Sequence, residues 1–275
     1  MERLAADLHL HTTFSDGVHS PADLRRLAGE AGLAAIAVTD HDTTEGAFAC
    51  GEGVAEAGPE VIPGVELSVD WEGREIHLLG YFISPTPHMV EELARLRGER
   101  RERGRAMLRR LREVGVDLSL ERLESLTGEN VGRPHVARLI VEAGYAPTTA
   151  EAFARFLVPG KPGYVSRRLL TPPAALDLLR QSGGVPVFAH PGLVPGWAKI
   201  VPRLVENGLL GMEVRHPGHP APLAEEVAAV AAHFGLLVTG GSDFHGADRG
   251  EYGAGIGEAG VTGEELLRLR EAARR

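Results

Sequence analysis

Cysteine is nearly absent from this 275-residue chain: Cys50 stands alone, which excludes an internal disulfide and a thiolate zinc cluster and fits a reducing compartment. No stretch approaches the roughly 18 consecutive apolar residues of a membrane span. The opening MERLAADLHLH reads as a strand and lacks the long apolar core and small-residue cleavage site of a secretory signal, so a cytoplasmic protein with no membrane association is expected. There is no internal repeat. A formal charge of −9 excludes a protein that coats nucleic acid through its overall field and leaves only local basic surface for that purpose. What is present is a globular composition: 43% hydrophobic residues suffice for one large α/β barrel or two smaller domains. The 35 glycines and 18 prolines are dispersed among periodic segments, where they mark turns and caps.

Short apolar segments alternate with helical patterns. Strands are expected near 4–9, 34–39, 60–67, 74–83, 185–189, 209–214 and 235–240, and helices near 21–31, 172–182, 195–207, 220–234 and 262–273. Ser20 before Pro21 is an N-cap with proline at the first helical position. The alternation is that of a parallel βα barrel. Residues 87–157 depart from it, showing helical periodicity without a strand, and read as an inserted helical subdomain. Its first helix, 91–112, holds nine Arg against four Glu. Such a helix is either a solvated face held by Glu/Arg pairs or a docking surface for a phosphate-bearing substrate.

The residues at strand ends carry the chemistry. In ADLHLHTTFSDG, Asp7, His9 and His11 occupy alternate positions of one strand, and Asp16 follows in the loop. Asp40 and His41 follow the second strand, Glu66 follows the third, the fourth contributes His77, His190 comes after the fifth, and Asp243 and His245 after the seventh. In a βα barrel these ends share one mouth, so ligands distant in sequence converge there. Imidazoles and carboxylates without thiolates suit Zn, Mn or Fe, with a carboxylate able to bridge two ions. Asp7 and Asp40 are expected to orient neighbours or cap turns.

The order of motifs from the opening HxH and SDG through TDHDT, VIPGVELS, EIHLLGYF, GRPHVARLIVEAG, GKPGYV and GGVPVFAHPG to GSDFHG resembles the PHP (polymerase and histidinol phosphatase) family, specifically its stand-alone metal-dependent phosphoesterases. The resemblance implies a distorted (β/α)7, TIM-like barrel formed by 1–86 and 158–275, with 87–157 as a helical lid. It implies two or three divalent ions (Mn, Fe or Zn). One would be held by His9, His11, Glu66 and Asp243, a second by Glu66, His77 and His190, and a third by Asp16, His41 and His245. It further implies substrate contacts from Arg133, His135 and Lys161. If a protein acid protonates the leaving alkoxide, His135 or His216 is the candidate.

On this reading the chain is a hydrolase of nucleotide phosphomonoesters. Its substrate would be a 5′-nucleotide, a nucleoside 3′,5′-bisphosphate or the 5′ end of a short RNA, and no obligatory protein partner is implied. A histidinol-phosphate phosphatase shares the metal chemistry and stays open here. So does a metal-stabilised accessory module without activity.

Overall fold

A computed structural model of the chain describes residues 4–51, 58–127, 131–166, 168–246 and 254–274. Seven strands lie side by side in sequence order: β1 (Ala6–Leu10), β2 (Ala35–Val38), β3 (Glu60–Trp71), β4 (Arg74–Tyr81), β5 (Val185–Phe188), β6 (Gly211–Arg215) and β7 (Leu237–Gly240). Leu10 bridges Phe244 just beyond β7, and the His11 N–H donates to the Phe244 carbonyl at 3.1 Å, so the sheet almost closes into a barrel. At this seam the chains pass so closely that a Cβ on Gly241 would lie 2.4 Å from the backbone nitrogen of His9.

The expected all-parallel alternation breaks at β3 and β4, which form an antiparallel hairpin, and β4 also pairs antiparallel with β5. Trp71 pairs with Arg74 across the two-residue turn Glu72-Gly73, whose φ values of 51° and 82° are both left-handed. That is the type I′ geometry whose twist matches a hairpin. His77, opposite Ser68, therefore reaches the mouth from the first half of an antiparallel strand and not from a strand's C-terminal end. The helix expected over 195–207 also divides, into a 3-10 turn at Trp197–Lys199 and a helix at Val201–Glu206. Pro202, which has no N–H to donate, stops the two from joining.

The helices around the barrel are α1 (Pro21–Glu30), α2 (Glu45–Gly51), α7 (Pro172–Gln181), α8 (Val201–Glu206), α9 (Ala221–His233) and α10 (Gly263–Ala273). Ser20 caps α1 by accepting from the Asp23 N–H at 3.2 Å. Leu8, Ala37, Ile62, Tyr81 and Val187 from five strands form one apolar cluster with Leu266 and Leu269 of α10. Burying each large aliphatic side chain of this kind contributes about 1.5–3 kcal/mol. Between β4 and α7 run α3 (Pro87–Glu113), α4 (Leu120–Thr127), α5 (Arg133–Glu142) and α6 (Thr149–Ala152), followed by a π-helical turn at Phe153–Leu157. This stretch has an apolar cluster of its own, including Met107, Leu111, Leu123, Val136, Ile140 and Leu157.

Candidate metal centre

Glu66, buried in β3, is the centre of the mouth. Its Oε2 lies 3.4 Å from His9 Nε2, 3.3 Å from His11 Nε2 and 3.0 Å from His41 Nδ1, and its Oε1 lies 2.7 Å from His77 Nδ1 and 3.0 Å from His190 Nε2. Asp243 Oδ1 is 3.4 Å from His9 Nε2 and 3.2 Å from His11 Nε2. Asp16 Oδ1 meets His245 Nε2 at 3.1 Å, and its Oδ2 is 3.8 Å from His41 Nε2. All nine donors expected from the sequence therefore converge on one place.

Their electrostatics explain one another. Burial alone would push Glu66 upward, but the imidazoles of His41, His77 and His9 hold it well below the usual carboxylate range. Burial likewise opposes the charge on His77 and His245, yet Glu66 raises the first to about 10, and Asp16 with Asp243 raises the second to about 10. Strained backbone gathers here too: Asp42, His190 and Asp243 have φ of 51°, 28° and 51°. Left-handed conformations in non-glycine residues cost about 1–3 kcal/mol each and persist where surrounding structure enforces them.

The donor set fits divalent cations. His9 Nε2, His11 Nε2, Asp16 Oδ1, Glu66 Oε2, His77 Nδ1 and Asp243 Oδ1 are buried with no hydrogen bond of acceptable geometry, all within this cluster. An unsatisfied buried polar atom costs about 1–3 kcal/mol, and six in one place mark a site for a ligand. Atoms within 4.8 Å of one another group as His11, Asp16, His41 and His245; as His9, His11 and Asp243; as His9, Glu66 and His190; and as His41, Glu66 and His77. His77 and His190 thus fall into separate groups that share Glu66, because that carboxylate is within reach of five rings.

The PHP domain model matches residues 7–153. The chain is 38% identical over 247 residues to the 5′-3′ exoribonuclease Rnm of Escherichia coli K12, covering 87% of this chain and 84% of that one. It is 33% identical over 260 residues to the 3′,5′-nucleoside bisphosphate phosphatase of Chromobacterium violaceum, covering 91% and 90%. The chain belongs to the PHP family. A crystal structure of a candidate metal-dependent phosphoesterase from Bifidobacterium adolescentis matches with a TM-score of 0.87 and 30% identity, covering 97% and 96%. The chain is accordingly a PHP phosphoesterase, a hydrolase and not an inert accessory module.

Of the other residues singled out, the PHP cleft takes in one. The cleft, about 260 Å³, is lined by donors of the metal centre together with Glu75, Arg100, Arg103, Arg133, Pro134, Phe153 and Leu193. Arg133 is held 3.4 Å from Glu75. His135 is buried one residue beyond Pro134, turns back to accept the Gly132 N–H at 3.0 Å and is not among the residues lining the cleft. Lys161 sits exposed in a turn, outside the lining. His216 accepts the Gly218 N–H at Nδ1, so its proton lies on Nε2, 3.3 Å from Asp243 Oδ2. It lines a neighbouring cavity and faces a metal-centre carboxylate.

Asp40 and Asp7 hold loops. Asp40 accepts from the Thr12 N–H, Thr12 Oγ1 and Ser15 Oγ, and Asp7 accepts from the Ser242 and Gly257 N–H groups.

Three contributors escaped the reading of the sequence. Glu213 in β6, fully buried, accepts from His9 Nδ1 at 2.9 Å and from the His190 N–H at 2.7 Å. Fixing the proton on Nδ1 leaves His9 Nε2 as a lone-pair donor toward the centre. Its signal was a charged residue inside the apolar run GMEVR. Arg100 and Arg103 were visible only as members of a basic helix. Counted along α3, they occupy the buried series Met89, Leu93, Leu96, Arg100, Arg103, Met107, Leu111, in which steps of three and four residues follow one face.

Proposed function

We propose that this PHP enzyme removes the 5′-phosphate from nucleoside 3′,5′-bisphosphates, using two or three divalent ions. The observation that carries the proposal is the placement of Arg103 and Arg133 on a cleft that seven of the nine donors also line. They offer binding for a second anionic group beyond the phosphate under attack, and guanidinium forks match phosphate oxygens well. The bisphosphate phosphatase of C. violaceum, similar over nine-tenths of the chain, supports the same substrate class.

His9, His11, Glu66 and Asp243 would hold one ion, Glu66, His77 and His190 a second, and Asp16, His41 and His245 a third, with Mn, Fe and Zn all compatible. Divalent ions in such a site polarise phosphoryl oxygens and make a bound water more acidic. The chain's own groups do the rest. Glu213 fixes the tautomer of His9, His216 aligns Asp243, and Arg133 and Arg103 orient the second phosphate. Residues 87–157 act as a lid, since α3, α5 and the π-helical turn deliver, among the described residues, every non-histidine cation of the cleft and two of its three apolar contacts.

A second reading, trimming of short 5′-phosphorylated RNA, draws support from the E. coli exoribonuclease. The first phosphodiester of an RNA stands where the 3′-phosphate of the bisphosphate does, so the same arginines would serve. The test is phosphate and nucleotide release by Mn-reconstituted protein from 5′-AMP, adenosine 3′,5′-bisphosphate, histidinol phosphate and a short 5′-phosphorylated RNA. Fastest conversion of the bisphosphate to 3′-AMP upholds the proposal. Release of successive mononucleotides from RNA at a higher kcat/KM favours the second reading, and preference for histidinol phosphate overturns both.

A further inference from the structure

Three apolar side chains interrupt the charged lining of the cleft: Pro134, Phe153 and Leu193. Phe153 is half-buried and packs against the apolar cluster of the helical lid while lining the cleft. It begins the π-helical turn, closed by the Val158 N–H donating to the Phe153 carbonyl at 3.2 Å. Single π turns give up the regular helical ladder and recur at functional sites. Leu193 lies in the 3-10 turn Pro191–Leu193, directly after the strained His190, and is 37% exposed. An aromatic ring and an exposed aliphatic chain beside carboxylates and guanidinium groups stay in contact with water unless an apolar part of a ligand covers them.

A nucleotide has such a part. Its base presents a π-face that stacks on an aromatic ring whatever the base, while its phosphates require cations. We infer that Phe153 and Leu193 form a base subsite, with the nucleobase stacked on Phe153 and the phosphates directed to Arg103, Arg133 and the metal centre. The inference rests on the nucleotide reading above and narrows it: the enzyme recognises the base through apolar contact and stacking, and its lining holds no side-chain amide or hydroxyl among the described residues.

The test compares 2′-deoxyadenosine 3′,5′-bisphosphate with the same sugar bisphosphate lacking the base. Kd is measured by calorimetry on metal-free protein, and KM and kcat on Mn-loaded enzyme. The wild type should favour the nucleoside compound by about ten-fold in Kd and KM. Phe153→Leu, which keeps apolar volume for the lid's core but removes the ring, should bring that ratio close to one. Phe153→Trp should restore it, and Leu193→Ala should reduce it by a smaller factor. A ratio that survives Phe153→Leu, or a wild type that does not distinguish the two compounds in binding, overturns the base subsite. If the wild type turns over neither compound, the nucleotide reading fails as a statement about catalysis, while the binding ratio still decides whether Phe153 recognises a base.

Discussion

The two faces of α3 carry the same residue type to opposite ends. On the outer face Arg95 pairs with Glu92 and Glu99, and Arg105 with Glu102 and Glu124, all through side chains at least a quarter exposed. Solvent-exposed pairs of this kind contribute about 0–1 kcal/mol. On the inner face Arg100 is 6% exposed, donates to the fully buried Asp42 at 2.6 Å and reaches Ser68 Oγ at 3.0 Å, while Arg103 donates to the Val165 carbonyl at 2.7 Å. Asp42 follows His41 in the chain and also accepts the Ser68 N–H, so Arg100 ties α3 to the loop that presents a metal-centre imidazole. Net charge along a helix therefore says little about function. The position of each charge on the apolar stripe decides it.

That contrast can be broken by substitution, beginning at the mouth to which the inner face leads. Glu66→Gln removes a charge in contact with five imidazoles and should bring phosphoester turnover to background in a steady-state assay, as should a chelator on the wild type. Arg100→Ala leaves Asp42 as a buried charge without its guanidinium, which should cost about 3–5 kcal/mol in urea unfolding of the metal-free protein. Arg103→Ala should lower kcat/KM for the bisphosphate about ten-fold or more, as expected for losing a hydrogen bond to a charged group. It should affect a generic chromogenic monoester less, and equal losses on both substrates would place Arg103 outside the second-phosphate site. Arg105→Ala, on the outer face, should change stability by no more than about 0.5 kcal/mol and leave both activities alone. A larger effect there would erase the distinction between the faces.

Much of the site was legible from residue type and spacing. His9 and His11 at alternate strand positions, and single His, Asp or Glu residues at the ends of apolar runs, located every donor of the cluster. Ser20-Pro21 fixed the start of α1. The antiparallel course of β4 was not legible as read, although Glu72-Gly73 between two apolar runs is a hairpin turn signal. His135 and Lys161 stand close in sequence to Arg133 and the lid, yet one folds back on its own helix start and the other points to solvent. Sequence proximity cannot distinguish the residue at N1 of α5 from the residue at N3, because about 200° of helical rotation separates them. Glu213 and Phe153 stayed hidden for a related reason, since each matters through a neighbour supplied by a distant segment.

The sequence by itself determined the donor chemistry, the strand count and the place of the helical stretch between β4 and α7, because period and residue type are local properties. Only the tertiary structure decided which arginines enter the cleft, that His135 folds back on its helix start and that Glu66 sits among five rings. Those outcomes depend on strand direction, helix rotation and the near closure of the sheet, which arise from contacts between residues far apart in the chain.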